Sequence, residues 1–193
     1  MIIRKYEDKD ELGWVRCRVL SFLDSAYFDN VLQKKEHYNN PSLELVAEIN
    51  DKIVGLLDIE YEKDKGTVCY NTDQLGGVIW HLAVLPEYRN SGISTKLLKK
   101  AIDILKGENI ERLEAWTRDD KWVNNWYENR GFELKEQYLH VYAEGDECDE
   151  VADSKISRLF LVNSFAHYVG ENTVEIKEQF KRVHECNLYE LII

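Results

Sequence analysis

The 193-residue chain is long enough for one sizeable domain, and its 44% hydrophobic and 32% charged residues are typical of a folded globular protein. Its formal net charge of −11 argues against nucleic acid as a partner and suits a cationic or amine-bearing small molecule. The sequence shows no signal peptide, no apolar run near the roughly 20 residues that span a bilayer, and four scattered cysteines without a Cys-x-x-Cys pair. We therefore expect a cytoplasmic chain with reduced thiols, no membrane contact and no metal site.

The N-terminal part predicts a strand, two helices and a hairpin. Residues 2–6 read as a strand, and apolar residues recur at helical spacing over 8–25, followed by a second short helix over 26–38. Two strands, 42–50 and 52–62, meet at Asn50–Asp51, a polar pair typical of hairpin turns. A polar loop over 63–77 then precedes a buried strand over 78–84.

The C-terminal part alternates in the same way. An amphipathic helix from Ile93 has Gly107 as its predicted C-terminal cap, a strand follows over 112–117, and a short helix over 119–131 stops at Gly131. We expect a strand over 133–144, and then strand, helix and strand in the tail. The sequence thus predicts a mixed α/β (α+β) sheet with helices on both faces, a main domain over 1–143 and a C-terminal extension over 144–193 packed on it. This extension could complete the sheet, cover an acceptor cleft or form a dimer contact.

The stretch YRNSGIS, residues 88–94, joins the buried strand to the amphipathic helix. The first N–H groups of a helix have no intrahelical partner, so this junction is either an ordinary capped turn or a phosphate cradle. Gly92 lets the backbone come close to a ligand, Ser94 is small, and Arg89 can add a charged contact. Neither GxxxxGK[ST] nor GxGxxG is present, so no nucleotide-binding motif competes.

Two motifs resemble those of the GNAT superfamily of acyl-CoA N-acetyltransferases. HLAVLPEYRNSGISTKLL resembles its central motif, and WYENRGFEL its second signature about forty residues later. The matching positions, which include Ser94 in place of the usual Gly or Ala, are Val84, Pro86, Arg89, Gly92, Ser94, Tyr127, Gly131 and Phe132. The resemblance covers roughly residues 2–143 and implies a mostly antiparallel central sheet.

The resemblance also implies a site for acetyl-CoA as cosubstrate. Backbone groups of Leu82 and Val84, on a strand splayed from its neighbour, would pair with the pantetheine arm. The pyrophosphate would bind the Arg89 side chain and the backbone N–H groups of Asn90, Ser91, Gly92, Ile93 and Ser94. Asp120 stands where the family often has an asparagine that touches the cofactor, so that contact does not carry over.

The implied reaction is attack of a neutral amine on the thioester through a tetrahedral intermediate, with Leu82 N–H polarising the carbonyl. Tyr127 is the candidate acid for the departing thiolate, with half-buried packing as its alternative role. His81 is the candidate base because imidazole titrates near neutral pH, its alternative role being a hydrogen-bonded core residue. Glu60 and Glu114 are alternative bases acting through water.

The sequence therefore predicts an N-acetyltransferase acting on a primary amine, with a small molecule as the first acceptor class and a peptide or protein amine as the second. The alternative is a non-catalytic acyl-CoA-binding or protein-interaction module with the same fold. We expect core packing from the tryptophans Trp116, Trp122 and Trp126, with a substrate-facing wall as the other reading. His184 and Cys186, two residues apart, are too few ligands for a metal, and a homodimer is possible.

Overall fold

A computed structural model describes all residues from 1 to 193 and shows one eight-stranded sheet with four helices. The strands are β1 (Ile2–Lys5), β2 (Ser42–Ile49), β3 (Lys52–Tyr61), β4 (Gly76–Val84), β5 (Arg112–Arg118), β6 (Glu133–Glu144), β7 (Asn163–Tyr168) and β8 (Arg182–Ile192). The helices are α1 (Glu11–Phe22), α2 (Ile93–Leu105), α3 (Lys121–Glu128) and α4 (Thr173–Gln179). The predicted mixed fold is confirmed.

The strand order across the sheet is β1-β2-β3-β4-β5-β8-β6-β7, and only β4 and β5 pair in parallel. The predicted hairpin is present: β2 and β3 join at Asn50 and Asp51, whose φ angles of 50° and 60° are those a type I′ turn requires. The predicted strand, helix and strand of the tail are β7, α4 and β8. Since β8 pairs with both β5 and β6, the tail completes the sheet from within.

Helices α1 and α2 cover opposite faces of β3. Because side chains alternate along a strand, residues of β3 that point to opposite faces contact different helices. Gly55 faces α2, where a side chain at this position would meet Ile93, whereas Asp58 faces α1 and accepts a hydrogen bond from Trp14 Nε1 at 3.3 Å. The main core lies along β2, β3 and β4 between these helices. A smaller core around Leu139 and Phe180 lies beneath the tail.

The predicted helix over residues 26–38 is wrong, since this segment consists of turns and loop. Its own backbone bonds, such as that from Asn30 N–H to Tyr27 C=O, close only short turns, and side chains of other elements bond further backbone groups. Asp120 accepts from the N–H of Ala26, and Arg118 and Arg18 donate to the carbonyls of Ala26 and Asn30. Tertiary hydrogen bonds therefore replace the helical ones.

The predicted cap of α2 is also displaced. Gly107 lies within a short 3-10 turn over residues 106–108, and the residue with left-handed backbone is Asn109, with φ 61°. Asparagine tolerates that conformation better than most residues, so it closes the helix here.

Candidate active site

A bulge in β4 opens the sheet at its centre. Pairing between β4 and β5 ends at Ile79 and Ala115, and the next residue, Trp80, has no partner in the β3 register, where Asp58 faces His81 and Ile59 faces Ile79. A bulge bends its strand. The two parallel strands therefore part beyond Ile79 and leave a gap.

The backbone groups of Leu82 and Val84 point into this gap. Leu85 N–H donates to the carbonyl of Val54 on β3 at 2.9 Å, and hydrogen bonding to one neighbour alternates along an antiparallel strand. Leu82 and Val84 consequently turn their N–H and C=O groups away from β3, towards the side where β5 has separated. These are the two residues whose backbone the sequence assigned to pantetheine.

The N-terminus of α2 carries free donors next to the gap. Its first intrahelical bond is from Lys96 N–H to Gly92 C=O, and no acceptor in the chain bonds the backbone N–H groups of residues 90–94. Asn90 and Gly92 are left-handed, with φ of 59° and 78°, and a β-carbon at Gly92 would meet no atom within 4 Å. Glycine is thus required here by conformation, and the space in front of the loop is open.

Two side chains of the junction are bound to other parts of the protein. Arg89 donates from Nη2 to the carbonyl of Ser21 in the last turn of α1 (2.7 Å), and its guanidinium lies 5.0 Å from the Trp122 ring. The Ser94 hydroxyl accepts from Trp126 Nε1 at 3.0 Å. Arg89 thus ties the loop to α1, and Trp126, which sequence reasoning assigned to packing, ties it to α3.

Tyr127 is 6% exposed and lies in an aromatic cluster. Its ring stacks on Tyr189 of β8 at 5.6 Å and meets Trp126 and Phe132 edge-on at 5.1 and 5.0 Å. Burial alone raises the pKa of Tyr127, because no charge or hydrogen-bonding group of the chain acts on its hydroxyl. The phenol is therefore protonated at neutral pH, with its proton uncommitted.

His81 lies on the α1 side of the sheet and is 6% exposed. Its Nε2 is 2.5 Å from the Glu36 carboxylate, Arg18 Nε donates to its Nδ1 at 3.5 Å, and the Trp14 ring packs edge-on at 5.1 Å. His81 is thus hydrogen-bonded on both ring nitrogens, and the contact with His81 holds the pKa of Glu36 below its usual range.

Glu60 and Glu114, the alternative bases, hold loops in place. Glu60 accepts from the backbone and side-chain amides of Asn40 and from Trp80 Nε1 at 2.9–3.0 Å. Although burial opposes it, these hydrogen bonds keep the pKa of Glu60 low. Glu114 accepts from Arg112 and from the N–H groups of Tyr70 and Asn71. Every carboxylate oxygen of both residues is engaged, which disfavours them as bases.

The three tryptophans of the sequence cluster lie in different surroundings. Trp122 is 52% exposed beneath Arg89, and Trp126 packs on the α2 junction. Trp116 is half-buried on β5, edge-on to Tyr70 at 6.0 Å and to Tyr138 at 5.2 Å. Of the three, only Trp126 packs against the main core.

Sequence reasoning missed the residues that arrive from the loop over 26–41 and from β8, namely Glu36, Lys35 and Tyr189. Spacing along the chain could not find them, since each reaches the site through tertiary structure. One signal was available: Asp58 is an isolated charge within the apolar run IVGLLDI, and a buried carboxylate requires a partner. That partner is Lys35, with Nζ 3.0 Å from Asp58 Oδ2.

Known proteins resemble this chain in sequence and in fold. The sequence pattern of the Acetyltransferase (GNAT) family matches residues 9–132. N-alpha-acetyltransferase 30 of Schizosaccharomyces pombe is 29% identical over 109 residues, which are 56% of this chain and 69% of that protein.

Two solved structures share the fold. The PaiA N-acetyltransferase of Thermoplasma acidophilum, in complex with coenzyme A, has a TM-score of 0.54 at 18% identity and covers 69% of this chain and 90% of its own. A GNAT family acetyltransferase of Elizabethkingia anophelis with acetyl-CoA bound has a TM-score of 0.56 at 14% identity, covering 100% and 97%.

The chain belongs to the GNAT acetyltransferase family. It is an acetyl-CoA-dependent N-acetyltransferase, and acetyl-CoA is its cosubstrate. None of its helices is long and apolar enough to cross a bilayer. No three His, Cys, Asp or Glu side chains are placed to share a metal ion: His184 bonds Asp119 at 2.9 Å, and Cys186 is a buried free thiol.

Proposed function

We propose that acetyl transfer takes place in the gap between β4 and β5, with Tyr127 as proton donor and His81 as proton acceptor. One observation carries this proposal: the gap is lined by the unpaired backbone groups of Leu82 and Val84 and continues to the free N–H groups at the start of α2. Acetyl-CoA has an amide-containing pantetheine arm next to its thioester, followed by an anionic pyrophosphate. It therefore needs backbone hydrogen-bonding groups along the arm and free N–H donors at the pyrophosphate, which is the order found here.

Each group has a defined role in this proposal. The N–H groups from Asn90 to Ser94 bind the pyrophosphate, Leu82 and Val84 hold the pantetheine amides, and Leu82 N–H polarises the thioester carbonyl. Arg89, besides its bond to Ser21, adds positive charge beside the phosphates. The amine nitrogen bonds to the acetyl carbon as its proton passes to His81. The carbon–sulfur bond then breaks, and Tyr127 gives its proton to the thiolate.

The acceptor is a primary amine, and we propose a small molecule as the first candidate class. The net charge of −11 supports an approaching cation. The α-amine of a polypeptide is the second candidate, favoured by the similarity to an N-alpha-acetyltransferase.

Cofactor binding is tested first, by calorimetric titration with acetyl-CoA beside dephospho-CoA and ATP. Saturable 1:1 binding of acetyl-CoA, much weaker for ATP, is expected from the cradle. Thiol release is then measured with polyamines and amino-sugars against peptides with free and with blocked N-termini. Turnover confined to free N-termini would replace the first acceptor class with the second. A folded protein without acetyl-CoA binding would overturn the assigned cradle.

The acid is tested with Tyr127→Phe, which keeps the ring stack and removes only the hydroxyl. We expect kcat to fall by about a hundredfold, while the Kd of acetyl-CoA changes by less than about twofold. Tyr189→Phe is the matched control, because its hydroxyl bonds only Glu128 at 3.0 Å and its ring keeps the stack. Unchanged turnover in Tyr127→Phe would remove Tyr127 as the acid, while the family assignment would stand.

We propose a cytoplasmic location, supported by the four buried cysteines, which are all unpaired as a reducing compartment would keep them.

A homodimer stays a prediction. Edge strand β7 follows an exposed apolar run that includes Phe160 and Val162, at 81% and 71% exposure, and sedimentation velocity would decide the oligomeric state.

A further inference from the structure

A four-residue segment, Lys35 to Tyr38, lies against the α1 side of β3 and β4 and is here called the clip. Lys35 anchors it: its side chain is 2% exposed, and its ammonium lies 2.7 Å from Glu44 and 3.0 Å from Asp58. Three rings, those of Tyr6, Trp14 and Tyr38, surround the ammonium at 4.9–5.2 Å. The buried lysine is therefore fully compensated, and the clip is fixed in position.

The other end of the clip is attached to the same strand. Tyr38 donates its hydroxyl proton to Asp58 Oδ2 at 3.1 Å, and Asn40, two residues later, is held by Glu60. Glu36, by contrast, is 46% exposed in its side chain, although it lies between these two anchors. Because both ends of the clip are held, the Glu36 carboxylate between them has a fixed position.

The Glu36 carboxylate lies against the His81 ring. Glu36 Oε2 is 2.5 Å from Nε2, while the opposite nitrogen, Nδ1, faces an N–H donor from Arg18. A neutral imidazole has one N–H and one lone pair. Only the tautomer with the proton on Nε2 satisfies both neighbours, since it donates to the carboxylate and accepts from Arg18. Asp58 and Lys35, the remaining nearby charges, are already paired with each other.

We infer that Glu36 is a positioning residue for His81, which holds the ring in the Nε2–H tautomer so that Nδ1 is the nitrogen that accepts the proton. The inference rests on the proposed role of His81 as base. The amine proton passes to Nδ1, which displaces the long 3.5 Å contact with Arg18, whose other nitrogens remain bonded to Asn30. The carboxylate then faces an imidazolium and offsets its charge.

The test compares Glu36→Ala with Glu36→Asp, which keeps a shorter carboxylate, and with Glu108→Ala, which removes a charge from the exposed turn after α2. Steady-state kinetics give kcat and the KM of acetyl-CoA, with the amine that produces the fastest thiol release in the acceptor screen as the second substrate. Two-bond ¹⁵N–¹H spectra report which ring nitrogen of His81 carries the proton, and His81→Gln identifies the signals by their loss.

In Glu36→Ala we expect kcat to fall by about tenfold to a hundredfold, with the KM of acetyl-CoA unchanged and a second His81 tautomer present. Glu36→Asp should recover part of both effects, and Glu108→Ala should show neither. Unchanged kcat in Glu36→Ala, or a single tautomer that persists there, would overturn the inference.

The kinetic and the spectroscopic measurements together separate this inference from the proposed function. A wild-type protein that binds acetyl-CoA but acetylates no amine would refute the proposed function, and with it the catalytic half of the inference. The spectra would still decide whether Glu36 sets the tautomer. A drop in stability and a higher KM with the tautomer retained would reduce Glu36 to a structural tie and so overturn the inference.

Discussion

At the scale of single residues, carboxylates decide where the loops around the gap lie. Asp120 holds the N–H of Ala26, Glu114 holds those of Tyr70 and Asn71, and Glu62 holds those of Val68, Cys69 and the first residue of β4. A carboxylate that accepts several N–H bonds is stable in its charged form even when burial opposes it, and the pKa of Glu62 is accordingly low. Each of these loops is thus held in position by a carboxylate that lies on a strand or next to the end of one.

Asp58 depends on Lys35 in the same way, and Lys35→Met tests this. Burial raises the pKa of Asp58, and the Lys35 ammonium counteracts that rise. Removing one partner of a buried ion pair leaves an uncompensated charge, so we expect a loss of about 3 kcal/mol in the free energy of unfolding at pH 7 by urea denaturation. Lys9→Met, which breaks the exposed pair with Glu7, should leave the urea midpoint unchanged.

The deficit of Lys35→Met should depend on pH. Without the ammonium, the pKa of Asp58 in the folded protein rises further above its unfolded value, so the folded state binds a proton more tightly than the unfolded state. Stability from such a group is present at low pH and lost as pH rises. The deficit should therefore shrink as pH is lowered from 7 towards the ordinary Asp pKa near 3.8. A deficit constant over this range would contradict the buried-charge explanation.

At the scale of elements, the proposed active site depends on the interruption of two regular features. The bulge at Trp80 ends the pairing of β4 with β5, and the left-handed residues Asn90 and Gly92 delay the start of α2. Each interruption leaves backbone hydrogen-bonding groups without a partner in the chain. We propose that acetyl-CoA binds these groups, which are unpaired because the regular element stops where it does.

Gly92→Ala separates the conformational need for glycine from the spatial one. A β-carbon would meet nothing within 4 Å, so strain from φ 78° alone should cost about 1 kcal/mol in unfolding free energy. We also expect about tenfold weaker acetyl-CoA binding, equivalent to about 1.4 kcal/mol, because the loop N–H groups shift.

Gly107→Ala is the matched control for that change. Gly107 also has open space around it, lies outside the left-handed region, and belongs to the turn after α2. Alanine there should be neutral or slightly stabilising and should leave acetyl-CoA binding unchanged. Equal losses of affinity in both variants would show that the conformation of Gly92 is not what the cradle needs.

At the scale of the whole molecule, the two predicted regions, 1–143 and 144–193, share one sheet. Strand β8 lies between β5 and β6, and Tyr189 on it stacks on Tyr127. The family pattern ends at residue 132, so the chain's last strand supports a residue of the second motif from outside the matched region. We propose that both regions unfold as one cooperative unit.

Leu188→Ala in β8 tests that unit. Leu188 is 1% exposed, so truncation should lower the free energy of unfolding by about 3 kcal/mol. Hydrogen exchange should speed up equally in β2–β5 and in β6–β8. Faster exchange limited to β6–β8 would instead show that the C-terminal extension opens by itself. Leu134→Ala, at a position 52% exposed, is the control and should change stability by less than about 0.5 kcal/mol.

The amino-acid sequence by itself predicted most of the elements, and it predicted where the cofactor would bind. Alternation of apolar residues predicted the strands, the pair Asn50–Asp51 predicted the hairpin, and the two motifs predicted the gap strand, the cradle and Tyr127. These features depend on residues close together in the chain, where backbone geometry links spacing to structure.

Only the tertiary structure decided how the sheet closes and what surrounds His81. The segment over 26–38 has a helical pattern, yet it forms a loop that is held by side chains from α1, from β5 and from Asp120, the residue before α3. Placing β8 inside the sheet and Glu36 on the His81 ring joins residues 40 or more positions apart. Such contacts follow from how faces and charges are compensated in three dimensions, which the order of residues along one segment does not express.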